Sequence, residues 1–359
     1  MRVAIDAREL GGRPTGVGRY LASLLDAWAR SDAARRHQWT LIAPSALEAS
    51  PRWNATVEVA GGNGGTVWEQ STLARAVRAA RADVLFAPGY TAPLTVAAPL
   101  VLTIHDVSFF AHPEWFSFRE GTRRRMVTAW SARRARTVVT VTEFSKREIQ
   151  RFIGIEAGRI RTIPHGLDAF CSGGSHDQAL VLYVGSIFQR RRVDRLIAAF
   201  DRVADRVPTA RLEIVGDNRT SPHLDLDAMR RRGKHADRIT IRSYVDDATL
   251  TSLYQRASVF AFLSEYEGFG LTPLEALACG VPPLVLDTPV ARETCGAGAR
   301  YVGTAASDEE VAAAIGDLLT SPEARQSVLR HRDDVLRRYD WNVAAAATLS
   351  VLEEAAGGR

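Results

Sequence analysis

Two acidic residues, Glu267 and Glu275, stand eight positions apart in the segment Ser264-Glu265-Tyr266-Glu267-Gly268-Phe269-Gly270-Leu271-Thr272-Pro273-Leu274-Glu275-Ala276. The segment leaves an apolar run at 259–263 and enters a helical pattern at Pro273, a residue favoured in a first helical turn. Gly268 and Gly270 let the backbone approach a ligand closely. A helix start offers unbonded amides and positive dipole to a phosphate. Glu275 has two readings, a ligand-binding carboxylate or the acid of a capping box begun by Thr272. Glu267 is either a ligand-facing carboxylate or a solvated loop acid.

Three further segments could carry chemistry. Gly185-Ser186-Ile187-Phe188-Gln189-Arg190-Arg191-Arg192 follows another apolar run, and adjacent guanidinium groups suit a diphosphate because each donates in a fork. The alternative is a basic helix start on the surface. Thr15-Gly16-Val17-Gly18-Arg19-Tyr20 is Gly-rich but lacks the spacing of a dinucleotide-binding fingerprint. His105-Asp106 directly follows the apolar run 101–104, at the carboxyl end of an expected strand, where a titratable imidazole is either catalytic or structural. Asp225-Leu226-Asp227 has the form of a metal-binding acidic pair, but it lies off any expected strand end and reads as a solvated face.

Taken together, Glu267 to Glu275, with Ala276-Leu277-Ala278-Cys279-Gly280 after them, resemble the paired-Glu motif of retaining glycosyltransferases of the family-4 (group 1) type, which have the GT-B fold. The resemblance runs over nearly the whole chain. It implies a nucleotide-sugar donor, with Glu267, His105 and Arg190 as catalytic residues. Gly16, Gly18, Arg191, Gly268, Phe269, Gly270, Leu271, Thr272 and Glu275 would bind the donor, Glu275 through the nucleotide ribose and the loop amides through the diphosphate. Asp106, Ser145 and His165 are candidates to line the acceptor side. The family's usual Arg-Lys-Asn is Arg190-Arg191-Arg192 here, and its Asn-Gly-Val-Asp is His165-Gly166-Leu167-Asp168. No cofactor and no metal are implied, since charged side chains and amides would neutralise the leaving diphosphate. GDP-mannose is the donor that the resemblance suggests. A saccharide or lipid-linked saccharide would be the acceptor, in polysaccharide or glycolipid synthesis. Two other readings are a GT-B sugar-nucleotide epimerase, which needs no acceptor, and a non-catalytic sugar-nucleotide-binding protein.

The elements that must position these residues alternate. Apolar runs at 3–5, 39–43, 84–87, 101–104, 138–141 and 160–163 read as strands, with helical periodicity between several of them, as in Leu21, Leu24, Leu25 and Trp28. A small, polar stretch at 171–177 interrupts the pattern, which restarts with strands at 180–184, 212–215, 239–242, 259–263 and 283–286. Parallel strands need crossovers, so the expected class is α/β: two Rossmann-like, doubly wound parallel-sheet domains facing a central cleft. The expected division is residues 1–172 for the acceptor, 173–337 for the nucleotide sugar, and a C-terminal helix at 338–359 packing back across the junction.

A chain of 359 residues has room for two cores at roughly 100–200 residues per domain, and its 46% hydrophobic content excludes disorder. Three scattered Cys exclude a disulfide scaffold. No run reaches the roughly 18–20 apolar residues of a membrane span. The early charge in Met1-Arg2-Val3-Ala4-Ile5-Asp6 argues against a signal peptide, so a cytoplasmic protein is expected. Residues 1–170 carry 23 basic and 15 acidic groups out of totals of 46 and 41, so the net charge of +5 divides into +8 there and −3 in the remainder. A basic half favours an anionic partner. The stretch from Arg119 to Arg136 is basic and helical in pattern, and reads either as a contact to an anionic membrane surface or as a solvated face. No nucleic-acid module is present in the sequence pattern.

Overall fold

A computed structural model describes residues 1–12, 15–47, 53–168 and 179–358. The polar stretch expected as a linker, 171–177, lies outside the described residues, as does the expected boundary at 172. The chain divides into two compact units: Met1–Gly166 with Tyr339–Arg359, and Leu167–Arg338.

Unit 1 is built on seven strands: β1 (Arg2–Asp6), β2 (Gln38–Ala43), β3 (Thr56–Val59), β4 (Val84–Ala87), β5 (Leu100–Thr103), β6 (Thr137–Thr140) and β7 (Ile160–Thr162). They pair in parallel in the order β3-β2-β1-β4-β5-β6-β7. Every residue of β4 and β5 is buried, because helices cover both faces of a parallel sheet and leave no polar side. The last helix, Trp341–Gly357, belongs to this unit. Leu349 and Leu352 share a buried cluster with Leu21, Leu24 and Val3, and Trp28 Nε1 donates to Ala345 O at 2.9 Å. Gly166 allows that docking, since a Cβ there would stand 2.3 Å from Trp341 N.

Unit 2 carries six strands: β8 (Leu180–Val184), β9 (Arg211–Val215), β10 (Ile239–Arg242), β11 (Val259–Phe262), β12 (Pro283–Leu286) and β13 (Arg300–Val302). Their order is β10-β9-β8-β11-β12-β13, again parallel throughout. Each sheet reverses its strand order once, between β1 and β4 and between β8 and β11. At such a switch point the loops leaving neighbouring carboxyl ends run to opposite faces and open a crevice. The segments singled out by their chemistry leave these strands or their neighbours.

Candidate active site

In unit 2 the loops after β8 and β11 meet. Arg191 grips Glu267 in a fork, Nε to Oε1 at 2.7 Å and Nη2 to Oε2 at 3.2 Å, while its Nη1 donates to Ser186 O at 2.8 Å. Ser264 Oγ donates to Glu267 Oε1 at 2.9 Å. Both members of the pair are nearly buried, with side chains 16% and 14% exposed. Burial opposes the charged form of Glu267, but the charges of Arg191 and Arg190 and the hydrogen bonds from Arg191 and Ser264 outweigh it and hold the carboxyl below its usual range. Arg191 is likewise desolvated, yet the adjacent carboxylate keeps it firmly charged. Its guanidinium also interacts with the buried Tyr183 hydroxyl. Arg190 lies beside the pair. Its Nε donates to Tyr266 O at 3.2 Å and its guanidinium stands 4.5 Å from the centre of the Phe188 ring.

Arg192 is held differently. It adopts the left-handed conformation, φ +47°, at the start of the helix Val193–Arg206 and pairs with Glu265. An Asn, the residue of the resembled motif, occupies that conformation at less steric cost than Arg.

The helix after Glu267 starts earlier than its Pro273 suggests. It runs Leu271–Ala278, with Gly270 as N-cap at φ +86° and no side-chain cap. Glu275 therefore sits in the second turn, and no capping box with Thr272 forms. Instead the Glu275 carboxylate is buried and accepts from Tyr254 Oη at 3.3 Å. The amides of Leu271 and Thr272 belong to a first turn, which has no intrahelical acceptors. Phe269 is buried, 5% exposed, and lines a cavity with Glu267, Gly270 and Pro273. Asp225 is explained without a metal: it caps the helix Leu226–Arg232, accepting from Ala228 N at 2.8 Å, and Asp227 pairs with Arg230. Among the described residues no group of three His, Cys, Asp or Glu could hold a metal ion.

In unit 1, His105 follows β5 by two residues and is half-buried. Its Nε2 lies 2.8 Å from Pro88 O; a carbonyl only accepts, so Nε2 carries the proton and the lone pair is on Nδ1. Asp106 accepts from Ser108 N at 2.8 Å and from Tyr90 Oη at 3.1 Å. Ser145 is buried at the start of the helix Glu143–Ile153 and donates through Oγ to His105 O at 3.2 Å, so it supports His105 from behind. His165 stacks on His105 with ring centres 5.4 Å apart, and Tyr20 meets both edge-on, at 4.9 and 5.0 Å. Trp341 closes the group, 5.7 Å from His165.

Burial lowers the pKa of both imidazoles. The hydrogen bond to Pro88 and the charge of Asp106 partly offset this for His105, while the neighbouring His105 depresses His165 further. The unfolded chain takes up these protons below about pH 6.5 and the folded chain resists them. Stability from this pair is therefore present above about pH 6.5 and falls as acidification proceeds below it. Chemical denaturation between pH 7 and 5 should show this slope in the wild type and a shallower one in His165→Phe. Equal slopes would remove the cluster as its source.

Two groups of residues near these sites had no signal in the sequence pattern. Asp6, Arg8 and Glu69 form a buried charged network at the carboxyl end of β1. Arg8 bonds Asp6 at 2.9–3.0 Å and Glu69 at 2.5 Å, and Thr91 Oγ1 also donates to Glu69 at 2.5 Å. Tyr90, just after β4, adopts φ +60°. The two glycines at the first helix also part company. A Cβ at Gly18 would stand 2.3 Å from Glu9 O, whereas one at Gly16 meets nothing within 4 Å. Gly18→Ala should therefore destabilise the fold. Gly16→Ala should keep its melting temperature and lose activity only if a ligand lies against that face; full activity in Gly16→Ala would remove it from the binding surface.

Two family models match consecutive parts of the chain: one described as Glycosyltransferase Family 4 over residues 14–169, the other as Glycosyl transferases group 1 over 170–330. A glycogen synthase from Mycobacterium tuberculosis is 30% identical over 260 residues, 70% of this chain and 62% of that protein. An O-antigen chain mannosyltransferase B from Escherichia coli is 30% identical over 195 residues, 51% of each. The matched stretches thus span less than two thirds of these curated relatives. Among solved structures, a sucrose-phosphate synthase from Thermosynechococcus elongatus superposes with a TM-score of 0.81 at 19% identity, covering 100% of both chains, which establishes likeness of fold. With matching models over both halves and two parallel sheets of this topology, the chain belongs to the family-4, group-1 type glycosyltransferases of the GT-B fold.

Proposed function

We propose that the chain is a retaining glycosyltransferase that moves a sugar from a nucleotide-sugar donor to a saccharide or lipid-linked saccharide acceptor, in polysaccharide or glycolipid synthesis, with GDP-mannose as the first donor to test. The observation that carries this reading is the Glu267–Arg191 fork beside Arg190 and the uncapped helix start at Leu271. Two fixed cations and a set of oriented amides suit the charge that develops on a departing diphosphate, and they are in place before reaction. No metal ion is needed for that task. Glu275 holds the ribose. Glu267 is ionised near neutral pH, so it acts as an acceptor of sugar hydroxyl hydrogen bonds and a counter-charge to oxocarbenium character, not as a general acid. Neutral His105 keeps a lone pair on Nδ1, which would accept from a hydroxyl of the sugar or the acceptor.

The test is incubation with GDP-, UDP-, dTDP- and ADP-sugars and saccharide acceptors in EDTA, with the product anomer read by NMR. Transfer with retained configuration is the expected result. Inverted product, or donor epimerised without any acceptor, overturns the reading.

On the same reading the acceptor is met at an anionic membrane surface on the cytoplasmic side. Among the described residues no helix is long and apolar enough to cross a membrane. The helix Phe118–Arg134, however, exposes Phe118 (84%), Met126 (46%) and Trp130 (48%), interleaved with exposed Arg119, Arg123 and Arg133. A helix lying in the interface combines apolar insertion with attraction of cations to anionic headgroups. Co-sedimentation with phosphatidylglycerol vesicles should exceed that with phosphatidylcholine and fall in Met126→Ser/Trp130→Ser. Indifference to vesicle charge and to both substitutions would dismiss this surface.

A further inference from the structure

The turn after β4 is strained where unit 1 has its switch point. Tyr90 adopts φ +60°, a region an aromatic residue rarely enters, and Thr91 N donates to Gly89 O at 2.6 Å across it. A hydrogen bond between residues two apart around a positive φ is a γ-turn of the rare, strained kind. Such strain persists only when the surroundings over-determine it.

They do so here on every side. Tyr90 N donates to Thr103 O at 2.8 Å, which ties the turn to the end of β5. Thr91 Oγ1 is fastened to Glu69, which Arg8 clamps to Asp6. Gly89 lies against the first helix, where a Cβ would stand 2.9 Å from Val17 Cγ1. The Tyr90 ring packs on His105 and Phe109, with centres 5.7 and 5.9 Å away.

Two atoms of this turn reach the proposed chemistry. Pro88 O receives the Nε2 proton of His105, and Tyr90 Oη donates to Asp106 Oδ2. If the turn relaxed toward negative φ, the Gly89–Thr91 bond would open and both contacts would lose their fixed origin. Nδ1 could then compete for the imidazole proton, and the nitrogen turned to the substrate would cease to be an acceptor. We propose that Tyr90 is a positioning residue: its strained turn fixes the Nε2–H tautomer of His105 and the direction of the Asp106 carboxylate. The kinetic part rests on the role given to His105 above, whereas the tautomer does not.

The experiment compares wild type, Tyr90→Gly and Tyr90→Phe by long-range ¹H–¹⁵N correlation of the imidazole signals, with His105 assigned through His105→Gln. Sugar transfer is measured in parallel. Wild type should show His105 as the Nε2–H form. Tyr90→Gly, which frees φ at this position to take either sign and no longer holds the ring or Asp106, should show mixed tautomers and a kcat reduced about 10- to 100-fold at little-changed donor KM, as a small misplacement of a reacting group produces. Tyr90→Phe keeps the ring and should retain the tautomer while losing part of kcat. Unchanged His105 signals in Tyr90→Gly overturn the proposal. Unchanged kcat in both variants overturns its kinetic part. Should the wild type transfer no sugar, the NMR comparison still decides the positioning role, and the failure belongs to the function proposed for the site.

Discussion

Glu267→Ala should cut sugar transfer by roughly two to three orders of magnitude and also lower the stability of unit 2. The two effects have separate causes. Activity falls by about 10²–10³ in kcat because a preorganised charge facing the reacting sugar is gone. Stability falls because Arg191, 16% exposed, is left nearly buried without its counter-charge. Removing one partner of a buried pair costs about 3–5 kcal/mol, with the lower end expected for groups that keep some solvent contact. A Glu267→Ala/Arg191→Met double variant separates them: apolar packing replaces the pair, so the melting temperature should recover while transfer stays low. Transfer that returned with stability would mean Glu267 serves the fold alone. The pair also has a kinetic corollary. Because Arg191 spends three N–H groups on Glu267 and Ser186, Arg191→Lys, which cannot form a fork, should misplace Glu267 as well as weaken diphosphate binding.

Arg190→Ala is the second large effect, and it should fall mainly on function. The Arg190 Nε donates to Tyr266 O, its charge acts on Glu267, and its guanidinium stacks on Phe188, a contact worth about 0.5–1 kcal/mol. The backbone bond from Glu265 N to Arg190 O at 2.9 Å survives truncation and keeps the two loops together. Stability should fall less than in Glu267→Ala, because the fork between Arg191 and Glu267 stays intact, while on the proposed function kcat falls by about 10²–10³ through loss of a cation at the leaving diphosphate. Arg190→Lys should recover part of the rate, since a point charge remains where the fork is lost. A variant with unaltered kcat would place the diphosphate elsewhere.

Much of this was readable in the residues because it depends on local pattern. The strands β1, β2, β4 to β6, β8, β9, β11 and β12 are mostly buried apolar runs, and they, with the edge strands β7 and β10, fall at the expected places to within a residue or two. The strands that pattern did not reveal, β3 and β13, are sheet edges of four and three residues with exposed or half-exposed members, too short and too polar to register as runs. The paired glutamates were legible as a motif, but not the geometry between them. Thr272-Pro273-Leu274-Glu275 spells a capping box, and only the left-handed Gly270 starting the helix two residues earlier moves Glu275 into the second turn. Likewise, adjacent arginines do not announce that Arg191 turns back to Glu267 while Arg190 turns to Phe188. The Asp6–Arg8–Glu69 network joins residues 61 positions apart, and the Tyr90 turn is a backbone state that no residue type declares.

The charge division also reads differently once side chains have partners. Part of the positive excess of the first half is committed internally, in Arg8 to two carboxylates and in Arg125, Arg134 and Arg159 to backbone carbonyls. What remains outward on the helix Phe118–Arg134 is a smaller set, mixed with exposed apolar residues, which is why an interface fits it better than a soluble anion does.

On the proposed function, the loops after β8 and β11 form a nucleoside-diphosphate site that works through Arg190 and backbone amides. Calorimetric titration of wild type and Arg190→Ala with GDP, UDP, dTDP and ADP, in EDTA, tests it most directly. The expected result is saturable binding of one of these nucleotides to the wild type, at least about 10-fold weaker in Arg190→Ala, a loss of about 1.4 kcal/mol. Binding of none of them, or equal binding by both proteins, would contradict it.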